Sequence, residues 1–318
     1  MTCPSVAIRD VDRSLMRPGR AARSWTATQA IIILAIGLTT TGCRIPGYGG
    51  PKSRTVQTSR QLSQQGASAL YRQDWTTAES LFARAVQACP ADVDARRHYA
   101  EALWHRGARE EAITQLAEAV KVSPEDPRLL DRLAEFRLLA GQLEEARHDA
   151  EVAIDLDPKS ADAWMVRGRI MHRLGDNRQA LADLHRALSY DPRNSQILHE
   201  LAKTYLAAGQ PDRALANLHS LLDQHAPGDE PAQLLFETGQ AYAGMKRYDQ
   251  AVESFQHAHA RDQANPEILY NLSEAEMARG NTAEARVALE QAVSRDPGNP
   301  RYQELLARLP GRGGPPAR

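Results

Sequence analysis

The sequence predicts an all-α fold: a solenoid of stacked helix–turn–helix repeats. Three observations predict it. Pro90, Pro124, Pro158 and Pro192 follow one another at intervals of 34 residues. Ala78, Ala112, Ala146 and Ala180 keep the same interval, as do Ala85, Ala119, Ala153 and Ala187, and so do Gly107, Gly141, Gly175 and Gly209. A fixed period of this length marks a repeat array, in which each unit buries its apolar face only by stacking on the next. The composition agrees: 42% of the chain is apolar but only 5% aromatic, and plentiful Ala and Leu suit close helix–helix packing better than a β-sandwich.

In chain order, the first element is a targeting segment, residues 1–42. Arg9, Arg13, Arg17, Arg20 and Arg23 precede the apolar run Ala30–Leu38. That run is less than half of the roughly 20 residues needed to span a bilayer as a helix. Basic flank, short apolar stretch and small residues are the parts of a secretory signal peptide. Thr41 and Gly42 directly before Cys43 make it similar to a bacterial lipoprotein signal, with Thr40 where that family favours a large aliphatic residue. The resemblance implies lipidation at Cys43 and an anchored protein of the cell envelope, facing the periplasm. An uncleaved anchor and an ordinary cleaved signal are the alternatives, and Met16 is an alternative start. Residues 43–58, rich in Gly, Pro and polar side chains, read as a flexible tether.

Seven repeats then fit: 59–92, 93–126, 127–160, 161–194, 195–228, 232–265 and 266–299. Position 8 is small throughout (Gly66, Ala100, Ala134, Gly168, Ala202, Gly239, Ser273). Position 20 is always Ala, and position 24 is Phe82, Leu116, Ala150, Leu184, Leu218, Phe255 and Leu289. Positions 4, 8 and 11 share one helix face, and 20, 24 and 27 share another. Small residues at 8 and 20 let the two helices approach closely. Gly at 15 suits the left-handed turn that ends the first helix, and Pro at 32 ends the second. Repeat five departs with Ala226 and Pro227 at its end, and Asp229, Glu230 and Pro231 are extra, which predicts a longer turn. Repeat six has Lys246 in place of Gly and Gln263 in place of Pro. Residues 300–309, with Tyr302, Leu305, Leu306 and Leu309, predict a capping helix over the last apolar face, and 310–318 a disordered tail.

This pattern resembles the tetratricopeptide repeat. The resemblance implies a right-handed superhelix that recognises a protein or peptide on the surface lined by each first helix, mainly at positions 2, 5, 9, 12 and 13. Carried over, those places hold Arg97, Glu101, Trp104 and His105 in repeat two, and Asp131, Glu135, Leu138 and Leu139 in repeat three. Repeat four supplies Met165, Arg169, His172 and Arg173, repeat five His199 and Lys203, repeat six Phe236 and Gln240, and repeat seven Tyr270 and Glu274. Trp104, Phe236 and Tyr270 are the expected anchors, because aromatics carry a large share of interface energy. The Lys and Asn by which some family members clamp a terminal carboxylate are replaced by Arg97 and Glu101 in repeat two.

Chemistry has few footholds. The phosphate-loop patterns GxxxxGK[ST] and GxGxxG and the nucleophile motif GxSxG are absent. His199-Glu200 opens like a zinc-protease motif, but Lys203 stands where the second His belongs. Cys3, Cys43 and Cys89 have no zinc spacing, and the formal charge of −1 disfavours nucleic acid. The expectation is therefore a membrane-tethered scaffold that binds protein in its groove, with no cofactor, metal, small-molecule substrate or nucleic acid. A non-catalytic regulator of an envelope enzyme such as a peptidoglycan hydrolase, and a cytoplasmic co-chaperone-like adaptor, are the alternatives.

Overall fold

The computed structural model describes residues 51–309, and side chains from residue 55 onward. Among them are fifteen helices and no strand. They run α1 (Pro51–Tyr71), α2 (Trp75–Ala88), α3 (Val93–His105), α4 (Arg109–Val122), α5 (Pro127–Ala140), α6 (Leu143–Leu156), α7 (Ala161–Arg173), α8 (Asn177–Tyr190), α9 (Ser195–Ala207), α10 (Pro211–Leu222), α11 (Ala232–Gly244), α12 (Tyr248–Arg261), α13 (Pro266–Arg279), α14 (Thr282–Arg295) and α15 (Pro300–Arg308). The chain forms two compact units, one ending at Pro124 and the other beginning at Glu125. Each is a stack of helical hairpins.

Most hairpins are built by the same local rules. Asp92, Asp126, Ser160, Asn194, Asn265 and Asn299 cap first helices through their side chains, satisfying amide groups that a helix start leaves bare. The turn to the second helix needs one left-handed residue. Gly141 supplies it at φ +83°, whereas Lys246 takes the same conformation at φ +61° with a side chain attached. Inside each hairpin the residues at positions 8 and 20 are buried, as are Phe82, Leu116, Leu184, Leu218, Phe255 and Leu289 at position 24.

The tether expected over 43–58 ends sooner, because α1 begins at Pro51. Pro is favoured at the first helical position and no Gly or Pro follows it until Gly66, so the helix has no reason to start later. The targeting segment 1–42, the lipidation residue Cys43 with the rest of 43–50, and the tail 310–318 lie outside the described residues. The extra residues of repeat five are taken up by the turn 223–231, where Gly228 donates to Glu230 and Arg261 pairs with Glu230 at 3.2 Å. The stack continues past this turn, since α9 and α10 still both pack against α11. In the second unit α15 closes the stack, burying Tyr302 and Leu309 with Leu269 and Leu289.

Candidate functional site

The surface with the most continuous polar organisation is the face of the first helices in the second unit. There α5, α7, α9 and α11 each touch the next first helix directly, as well as their own hairpin partners. The second helices of successive hairpins have no comparable contact with each other. First helices crowded together and second helices spread apart curve the stack, with the first helices on the inner side.

A run of ion pairs crosses three of these helices. Arg132 and Glu135 pair on α5. Arg169 on α7 reaches Glu135 at 3.3 Å on one side and Glu200 of α9 at 3.5 Å on the other. Lys203 meets Glu200 at 3.1 Å, one turn along α9. Arg169 is thus shared by two carboxylates from two neighbouring repeats, with its side chain 21% exposed. Further along, His199 Nε2 lies 2.8 Å from Glu237 of α11, whose other oxygen accepts from Gln233 at 2.7 Å. Low exposure strengthens such pairs and fixes their geometry, so the face offers oriented charge rather than loose side chains.

The structure brings together only some of the residues expected to line a groove. Glu135, Arg169, His199 and Lys203 belong to the network just described. Arg132, Glu200 and Glu237, all at position 6, were missed by sequence reasoning. Their signal was the three-residue spacing of opposite charges in Arg132/Glu135 and Glu200/Lys203, which puts each pair on one helix face. Four expected residues are instead core. Leu138 packs with Val166 and Ile170, and Met165 with Leu184 and Leu201. Phe236 lies against Phe255 with ring centroids 5.8 Å apart, and Tyr270 against Tyr302 at 5.2 Å. As anchors for a partner, Phe236 and Tyr270 are therefore a correction: the second helix of its own hairpin covers Phe236 and α15 covers Tyr270, because an aromatic at position 5 gains more from an apolar neighbour than from water. Of the rest, Leu139, Arg173 and Glu274 are exposed, Gln240 is half-buried, and His172 Nδ1 lies 2.9 Å from Asn177 Oδ1. Tyr270 still places its hydroxyl 2.9 Å from Glu274.

In the first unit, the guanidinium of Arg109 lies 5.5 Å from the ring centroid of the half-buried Trp104. His105 stacks on Trp75 at 4.0 Å. Arg97 contacts His98 Nε2 at 3.2 Å and Asp94 at 3.6 Å, while Glu101 is half-buried beside them on α3. Burial, and then the Arg97 charge, hold His98 below the usual histidine range.

One carboxyl on the inner face is out of the ordinary. Asp131 on α5 accepts from Ser160 at 3.3 Å, while its other oxygen is buried without a hydrogen-bond partner. Burial pushes it up to about 7, helped by Asp162, Asp157 and Asp126 against the pull of the Ser160 hydrogen bond.

With this geometry established, family comparison matches the tetratricopeptide repeat over residues 69–136, 171–235 and 242–309, and a second tetratricopeptide repeat family over 133–176. The chain belongs to the tetratricopeptide repeat family. The tetratricopeptide fold extends to solved structures. A tetratricopeptide repeat protein from Parabacteroides merdae ATCC 43184 is 17% identical with a TM-score of 0.61, over 79% of this chain and 98% of its own. YrrB, described as having an unusual peptide-binding site, is 20% identical with a TM-score of 0.50, over 60% of this chain and 96% of its own. The APC/C hetero-tetramer Cut9-Hcn1 is 12% identical with a TM-score of 0.64, over 82% of this chain and 54% of the other. No curated protein matches by sequence. In tetratricopeptide terms, the ion-pair network joins positions 6 and 9 of repeats three to five. Among the described residues no cluster of His, Cys, Asp and Glu has the make-up to hold a metal ion, and Cys89 is buried. No described helix is long and apolar enough to cross a membrane, and the apolar run at 30–38 lies outside the described residues.

Proposed function

We propose that this chain is a non-catalytic scaffold that binds a polypeptide partner along the first-helix face of its second unit. The observation that carries the reading is Arg169, held between Glu135 and Glu200 and still partly open to solvent. A rigid, half-desolvated charge centre on the inner face of a curved stack suits an extended peptide or a helix laid across α5, α7 and α9. Partner recognition here is polar: ion pairs already present exchange for ion pairs with the partner. Aromatic anchoring plays the smaller part, since Phe236 and Tyr270 are buried.

The test is affinity capture from cell-envelope extracts with the full chain and its Arg169→Glu variant. The variant is expected to lose the wild-type partner set while its circular-dichroism spectrum at low temperature stays as helical as wild type. Recovery of the same partners by a folded variant would move the binding surface elsewhere.

We propose further that the chain is anchored at Cys43 as an envelope lipoprotein facing the periplasm, with a role in envelope assembly, secretion or pilus biogenesis. Support comes from the order of basic flank, short apolar run, Thr41, Gly42 and Cys43. Fatty-acid labelling decides it: label in the wild type and none in Cys43→Ala is expected. Equal labelling of both would remove the anchor.

A further inference from the structure

On the opposite side of the second unit, α12, α13 and α14 enclose an open cleft of about 350 Å³. Its walls are aliphatic at Leu272, Val287 and Ala288, and its carboxylates are Glu276 and Glu284. No Lys or Arg lines it. Val287 is 54% exposed, a large apolar side chain left open to water at the rim. Glu276 is buried, with Asn281 donating to it at 2.9 Å and Arg279 at 3.3 Å, and Arg279 is itself shared with Asp249 at 2.9 Å. Glu284 makes no ion pair among the described residues. The remaining titratable group, His259, is held below the usual histidine range by burial and by Arg295, so it adds no charge at neutral pH.

The repeat register shows what chemistry belongs in this place. Ala288 occupies position 23 of its repeat, where three other repeats carry a polar acceptor that the chain's own arginine binds. Arg96 donates to Gln115 at 2.9 Å in repeat two, and Arg137 to Asp149 at 2.5 Å in repeat three. In repeat four Arg167 binds both oxygens of Asp183 at 2.8 Å, with its guanidinium 4.7 Å from the Trp164 ring centroid. Repeat seven supplies neither the acceptor nor the arginine, and its carboxylates stand at positions 11 and 19 instead, as Glu276 and Glu284. Leu272 stands where repeat four has Arg167, and Glu276 where repeat three has Arg137. The result is aliphatic walls with carboxylates at floor and rim, and space where a guanidinium sits elsewhere in the same molecule.

We infer that this cleft is a second interaction site, which takes an arginine or lysine side chain from a basic segment of a partner protein. The methylene stem lies along Leu272, Val287 and Ala288, and the cationic head reaches Glu284, beside the Glu276 that Arg279 and Asn281 already hold. Long basic side chains combine an apolar stem with a charged tip and fit such a lining. The site is separate from the first-helix face and does not depend on it.

The test uses the full chain and two fluorescein-labelled hexapeptides: one alternates leucine with arginine, and its twin has glutamate in place of arginine. Binding is read by fluorescence anisotropy. The arginine peptide is expected to bind about tenfold more tightly than its twin, and the exposed-site variants Val287→Lys and Glu284→Lys each to weaken it by about tenfold. Arg169→Glu on the other face is expected to leave it unchanged. Equal binding of the two peptides, or binding indifferent to Val287→Lys, overturns the assignment. Loss on Arg169→Glu alone places the peptide on the first-helix face and also overturns it. A chain ending at Leu309 that binds about tenfold more tightly than the full chain makes residues 310–318, with Arg312 and Arg318, the occupant in place of a partner.

Discussion

Gly239 and Phe255 are made for each other: a methyl group added at Gly239 would lie 2.5 Å from the Phe255 ring. The same holds for Gly66, where the added carbon would lie 2.7 Å from Phe82. Where position 24 is Leu, position 8 varies: Ala100 and Ala202 stand with Leu116 and Leu218, Ser273 with Leu289, and Gly168 with Leu184. Ring and missing side chain are thus one packing decision written at two places in the hairpin. Gly239→Ala is expected to destabilise the protein by about 1–3 kcal/mol in urea unfolding, the usual cost of overpacking a core. Adding Phe255→Leu should recover part of that loss. A single variant as stable as wild type would mean that Phe255 has room to move.

Lys246 holds a left-handed conformation, φ +61°, in which Gly141 and Gly280 serve elsewhere. A side chain in this region costs roughly 1 kcal/mol, partly offset because glycine frees the unfolded chain. Lys246→Gly is expected to raise stability by up to about 1 kcal/mol. Gly141→Ala, made as the converse, should lower it by a similar amount. Differential scanning calorimetry of the two variants checks both signs.

Arg167 binds the buried carboxylate of Asp183, whose side chain is 2% exposed. The Asp183 hydrogen bonds keep the guanidinium more strongly protonated than an ordinary arginine. Removing one partner of a buried pair leaves the other charge uncompensated, so Arg167→Ala is expected to cost about 3–5 kcal/mol. Replacing both, as Arg167→Met with Asp183→Leu, should cost much less. Equal losses in the single and double variants would show that packing of the arginine stem, rather than its charge, is what matters.

Asp131 makes stability depend on pH. Its folded-state carboxyl titrates at about 7, above the ordinary aspartate value, so folded protein keeps a proton that unfolded protein releases. Stability contributed by this site therefore falls as pH rises from about 4 to about 7, and stays low above that. Asp131→Asn is expected to gain over wild type by roughly 1–3 kcal/mol at pH 8 and by almost nothing at pH 4. Thermal melts across this range test it, and a difference constant with pH would refute it.

Much of this was legible in the residues themselves. The interval that carries Pro90 to Pro192 and Ala78 to Ala180 is a local signal, because helix starts, turns and close helix contacts are set by residues a few places apart. Position 24 reads as core for the same reason, since one helix face must pack on its own hairpin partner. The polar network was half legible. Arg132 with Glu135 and Glu200 with Lys203 are spaced for one helix, but nothing in their spacing says that Arg169 will reach both groups from the repeat between them.

What the sequence by itself determined is the hairpin: its two helices, the turn between them and the small residues that let them meet. Only the tertiary structure decided which polar side chains face one another across repeats, and that Phe236 and Tyr270 turn inward against Phe255 and Tyr302 rather than outward to a partner. The reason is physical. Helix starts and turns depend on neighbours close in the chain, whereas exposure at position 5 depends on the residue that the partner helix or the next hairpin, about twenty to thirty places away, lays against it.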